Sequence, residues 1–143
     1  MRHIPVIYSR STALAGLLIR NADRFGRWSH CGVVTPQDTV LEARFMDGVV
    51  ETPIKTFKER CSHWYIRHIV VPYPEHGIEW FRHQKGKKYD FLAVFGLMFR
   101  RSWQEPDRWH CAEIVEQAIG KAGRPRFTES TNRISPNMSS VVI

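Results

Sequence analysis

The sequence predicts an α+β fold, a small antiparallel sheet packed against helices, and three observations carry that expectation. Five β-rich segments lie in the first half of the chain, three of them separated only by short turns. Apart from a short helix opened by Pro53, helical periodicity lies in one stretch near the N-terminus and in the region after residue 75. Strands and helices therefore segregate instead of alternating as βαβ units. With 143 residues, 43% of them apolar, the chain fits one domain spanning 1–143 with enough apolar material for a core.

The elements follow in order. His3 to Tyr8 reads as a short strand, and Ser11 to Phe25 places Leu14, Leu17, Leu18, Ala22 and Phe25 at helical spacing, capped by Ser11 or Thr12 and stopped by Gly26. His30 to Thr35, Thr39 to Arg44 and Gly48 to Thr52 form three strand candidates around Pro36-Gln37-Asp38 and Met46-Asp47-Gly48, the signal of an antiparallel meander. Pro53 opens a short helix through Lys58, and His63 to Val71 reads as a longer strand ended by Pro72 and Pro74. From Glu75 the pattern is helical as far as the basic turn Gln84 to Lys88, and Tyr89 to Phe99 is strongly apolar. A helix is expected from Trp109 to Ala122, with Ala112, Val115, Ala118 and Ile119 on its apolar face and Gly123 as its stop. The tail from Arg124 to Ile143 is polar and turn-rich.

Composition narrows the function classes without choosing among them. A formal charge of +7, from 21 Lys and Arg against 14 Asp and Glu, favours anionic partners. No apolar run of about 18 residues is present, and the N-terminus lacks the apolar stretch of a signal peptide, so the expectation is a soluble, cytoplasmic protein without a transmembrane segment. Three widely spaced cysteines do not resemble a disulfide framework and point to a reducing compartment.

Cys111 is placed at the first turn of the expected amphipathic helix. Unpaired backbone N–H groups and the positive end of the helix dipole favour a thiolate there, and the thiolate is the reactive form. A buried structural cysteine is the plain alternative. His30 opens an expected strand and is followed by Gly32, which permits close approach of a backbone or a ligand; a rigid strand edge suits a general base, although a lone histidine there is more often structural.

Together the segments His30-Cys31-Gly32-Val33-Val34 and Cys111-Ala112-Glu113-Ile114-Val115 resemble the two motifs of the circularly permuted NlpC/P60 (papain-like) cysteine hydrolase superfamily, in its YiiX-like branch, with the base preceding the nucleophile. Val40-Leu41-Glu42-Ala43, Asp47-Gly48-Val49, Lys88-Tyr89-Asp90-Phe91 and Ile134-Ser135-Pro136-Asn137 resemble further elements of that pattern, so the likeness touches nearly the whole chain. Departures are the lack of a Gly-Asp pair before the first strand, Cys31 beside the base, and Ala112 where serine is commoner. The resemblance implies a permuted papain-like fold and a cysteine-dependent hydrolase or acyltransferase acting on an amide, ester or thioester through an acyl-enzyme. In it Cys111 attacks the carbonyl, His30 carries the proton, and Glu42 on the next strand orients the imidazole. The Cys111 N–H meets the oxyanion, with the Tyr89 hydroxyl as a candidate helper. No metal or cofactor is implied, and the partner is a peptide or lipid-like acyl substrate.

Other readings compete. A nucleic-acid-binding module is motivated by the charge and by Lys85, Lys87, Lys88, Arg100 and Arg101 near aromatic residues, but no binding motif accompanies them. A zinc site from His30, Cys31, Cys61, His63, His110 and Cys111 has poor ligand spacing. An inactive papain-like scaffold used for binding would keep the fold without turnover.

Overall fold

A computed structural model describes residues 1–10, 27–89, 108–127 and 134–142. The expected helix over Ser11 to Phe25 and nearly all of the apolar Tyr89 to Phe99 segment lie outside the described residues. So do Arg100 and Arg101.

Strand β1 (His3–Arg10) lies between β2 (His30–Val34) and β5 (His63–Val70) in a five-stranded antiparallel sheet completed by β3 (Thr39–Arg44) and β4 (Gly48–Pro53). The strand order is β4-β3-β2-β1-β5: β2 to β4 form the expected meander, β1 pairs with the other edge of β2, and β5 returns to the free edge of β1. Helix α1 (Ile54–Glu59) connects β4 to β5, and α2 (Pro74–His83) follows β5 with Pro74 in its first turn. Helix α3 (Cys111–Lys121) and the short α4 (Pro136–Val141) complete the layout.

Side-chain alternation sorts the sheet into two faces. Ile4, Val6, Tyr8, Cys31, Val33, Leu41 and Ala43 join Ile78 and Phe81 of α2 and Ile114, Val115, Ala118 and Ile119 of α3 in the main core. On the opposite face Ile7, Val34 and Val40 pack on Phe57 of α1. Helices α2 and α3 approach closely because α2 has Gly77, where an added Cβ would stand 2.4 Å from the Ala118 carbonyl oxygen.

The structure departs from expectation at several places. Helix α3 begins at Cys111 instead of Trp109, because Arg108–Trp109 (β7) pairs in parallel with Lys88–Tyr89 (β6). Strand β2 ends at Val34, one residue early. The C-terminal tail, expected to be turn-rich, contains α4: the Ser135 hydroxyl accepts the Met138 N–H at 3.2 Å and Pro136 fixes the first turn.

Candidate active site

Glu42 lies on β3 opposite Gly32 of β2. The first residue of β2, His30, sits diagonally across the ladder on the same face, within reach of a long side chain. Its Nε2 meets Glu42 Oε2 at 2.7 Å. Gly32 makes this approach possible: a Cβ there would come within 2.6 Å of Val40 Cγ1 and 2.7 Å of the Leu41 carbonyl oxygen. The ring of His30 packs on Phe57, with centroids 5.8 Å apart.

Glu42 is wholly buried, and three donors satisfy it. Besides His30, Thr52 Oγ1 donates to Oε1 at 2.7 Å and Arg60 Nη2 donates to the same oxygen at 2.6 Å. Burial pushes this carboxyl up, but the hydrogen bond and charge of His30, with Thr52 and Arg60, hold it at about 2. Thr52 and Arg60 were not legible as site residues in the sequence. Nothing in the local pattern of β4 or of the turn after α1 signals that their side chains meet Glu42.

Cys111 begins α3, which packs on β2, the strand that carries His30 and Cys31. With Nε2 on Glu42, Nδ1 is the nitrogen left for the sulfur. The Cys31 contact, working against burial and joined by His110 and by the bond and charge of His30, brings Cys111 well below the usual thiol range. Burial alone would push His30 down, but hydrogen bonds to Cys111 and Glu42 and their charges raise it to about 10. These opposite shifts, Cys111 down and His30 up, favour the charged form of each group.

His110 and Cys31 enter the site without having been assigned a role there. His110 is the N-cap of α3, and its Nδ1 accepts the Glu113 N–H at 3.5 Å; histidine is not among the residues that cap preferences single out. Tyr89 is buried in the main core with its ring 6.0 Å from that of Phe45. Its strand residue pairs with Trp109, two positions before Cys111.

The six-residue zinc set is not assembled. Cys61 donates to the Phe57 carbonyl at 3.1 Å, and His63 is exposed at the start of β5. Among the described residues no group of three or more His, Cys, Asp or Glu side chains is arranged to hold a metal ion.

No protein-family model matches the chain, and no curated protein matches it in sequence. A solved structure does: YiiX from Escherichia coli O157:H7, described as a metalloprotein, superposes with a TM-score of 0.65 at 21% identity, covering 87% of this chain and 68% of that one. The chain therefore has a YiiX-like fold. Among the described residues no helix is long and apolar enough to cross a membrane.

Proposed function

We propose that the protein is a cysteine-dependent hydrolase or acyltransferase of NlpC/P60-like, papain-like type, acting on an amide, ester or thioester. The observation that carries this reading is the His30–Glu42 hydrogen bond on the strands against which the helix opened by Cys111 packs. The Cys111 thiolate attacks the substrate carbonyl carbon. As the S–C bond forms, the oxyanion is met by the Cys111 backbone N–H, one of the first-turn donors of α3. His30 passes its proton to the leaving group, giving an acyl-enzyme and a neutral imidazole. That imidazole then takes a proton from water or from a second acceptor, which attacks the acyl carbon and releases the Cys111 thiolate. Glu42 keeps Nε2 engaged, so Nδ1 faces the sulfur in both steps. The substrate is a peptide or lipid-like acyl compound.

YiiX is described as a metalloprotein. In this chain the described donors do not fit a metal centre, since His30 Nε2 is held by Glu42 and the Cys61 thiol by a backbone carbonyl. The proposed chemistry therefore runs through the side chains. A nucleic-acid interface has weaker support, because Lys85 and Arg82 of the basic region are paired with Glu51.

The test is alkylation by iodoacetamide across pH, with the adduct located by mass spectrometry, on the parent protein, His30→Ala and Cys111→Ala. Cys111 is expected to label fastest and to do so below about pH 7, with His30→Ala slowing it. On any acyl substrate found by screening, His30→Ala should lower turnover by about 10²- to 10⁴-fold. Labelling of Cys111 that is no faster than that of Cys31 or Cys61, and indifferent to His30, would remove the catalytic reading.

A further inference from the structure

We propose that Arg60 is a positioning residue of this site: its guanidinium holds Glu42 ionised and in place while His30 gives up its proton and takes it back. The proposal rests on the reading of His30 as the proton carrier for Cys111. Arg60 comes to the site through α1, which covers the sheet face of Ile7, Val34 and Val40 with Phe57. His30 and Glu42 alternate onto that same face, two residues from Gly32 and Val40 respectively. Arg60 caps the C-terminal end of α1 in helical backbone geometry, three residues after Phe57, so the two side chains are neighbours on one side of the helix.

Phe57 is shared by both halves of the arrangement. The His30 ring stacks on it with centroids 5.8 Å apart, and the Arg60 Cζ lies 5.3 Å from the ring centroid. Arg60 Nη2 donates to Glu42 Oε1 at 2.6 Å, the oxygen that also accepts from Thr52 Oγ1, which leaves Oε2 to His30 Nε2. The Glu42 side chain is 0% exposed and that of Arg60 34%.

This division of the two oxygens matters when the proton moves. While His30 is protonated, each oxygen of the buried carboxylate faces a cation. Once the N–H bond to the leaving group's proton breaks, His30 is neutral and Thr52 is only a neutral donor. A buried carboxylate with no cation is costly, so without Arg60 the His30–Glu42 pair would keep the proton. A guanidinium does not titrate in this range, so Glu42 stays paired in both states of the imidazole. The proton is thereby free to go to the leaving group and to be replaced from water or a second acceptor. The other titratable groups acting on the pair are Cys111 at the start of α3 and the Cys61 thiol beside Arg60, and neither is a cation.

The experiment compares Arg60→Met, Arg60→Gln and Arg60→Lys with the parent, with thermal melts reporting folding. It follows the His30 imidazole across pH by nuclear magnetic resonance on histidine-labelled protein, the signal being assigned by its loss in His30→Ala, and measures Cys111 alkylation alongside. Without the fixed cation, proton release strands a buried carboxylate, so the His30 midpoint should rise by about one pH unit in Arg60→Met. That is about a tenfold smaller deprotonated fraction at any pH below the midpoint. Gln keeps a donor without charge and should raise it too, and it serves if Met does not fold. Lys restores the charge and should return the midpoint close to that of the parent. A merely structural Arg60 gives the opposite sign, since Glu42 would come off His30 and the midpoint would fall from about 10 toward the ordinary 6.5. A midpoint that falls or stays in Arg60→Met and Arg60→Gln, with Cys111 labelling still dependent on His30, would overturn the role of Arg60 and leave the proposed nucleophile standing. A shift in Lys as large as that in Met would also overturn it, because charge would not be the cause. If the midpoint rises but Cys111 labelling ignores His30, the reading of the nucleophile fails and the role of Arg60 in the transfer falls with it.

Discussion

Glu42 shows what a single residue contributes here, because it is a wholly buried carboxylate whose two oxygens are shared among His30, Thr52 and Arg60. Its carboxyl sits at about 2, below the ordinary 4.5, so its contribution to stability is present above 4.5 and is lost as pH falls toward 2. His30 is raised from 6.5 to about 10, so its contribution is full below 6.5 and is lost as pH rises toward 10. The pair therefore supports the fold most between about pH 4.5 and 6.5. Urea unfolding across pH should show both limbs in the parent protein, and Glu42→Gln should flatten the acid limb and lower the pH at which the alkaline limb ends. An acid limb as steep in Glu42→Gln as in the parent would locate the acid sensitivity elsewhere. In the sequence Glu42 was legible as the strand neighbour of His30, through hairpin spacing. Its dependence on Arg60 was not, because that contact joins a strand to a turn beyond α1.

At the scale of elements, the β2–β3 ladder is what brings base and carboxylate together, and Gly32 is its narrowest point. A methyl group there meets the Leu41 carbonyl oxygen and Val40, which belong to the strand that carries Glu42. Gly32→Ala should cost about 1–3 kcal/mol as an overpacking change, and it should slow Cys111 alkylation by moving Glu42 off His30. Unfolding and alkylation rates equal to those of the parent would mean that the strands yield without cost. The five strands were legible because alternation against a one-sided core is a local, period-two signal, and α2 and most of α3 because their apolar faces repeat at helical spacing. The ladder of β6 and β7 was not legible: two strands of two residues, paired in parallel from distant parts of the chain, leave no local periodicity. Nor was α4, whose Pro-Asn-Met-Ser-Ser-Val sequence has weak helical preference. It is held by its cap and by contacts with distant residues.

Those distant contacts tie the whole molecule to the site. Arg126 donates to both oxygens of Glu116 on α3, to the Ser139 carbonyl at 3.0 Å and to the Val142 carbonyl at 2.8 Å; Ser139 Oγ also bonds Glu116. The Tyr8 hydroxyl of β1 donates to the Ser139 carbonyl at 3.0 Å. The Glu116–Arg126 pair is almost fully buried, so it locks α4 onto α3 and the sheet. From α4, Asn137 accepts the Trp28 N–H and donates to the Trp28 carbonyl, both at 2.7 Å, two residues before His30. The C-terminal helix thus fixes the entry to the strand that carries the base. Removing one partner of a buried ion pair strands the other charge, at a cost of about 3–5 kcal/mol, whereas replacing both with apolar groups of similar volume is often close to neutral. Arg126→Met should therefore destabilise the protein by that amount in urea unfolding, and Glu116→Leu/Arg126→Met by clearly less. Because the loosened α4 takes Asn137 with it, Arg126→Met should also slow Cys111 alkylation, and the double variant should recover part of the rate. If the double variant loses as much stability as the two single changes added together, the pair acts as independent contacts and not as the lock between α4 and the base-bearing strand.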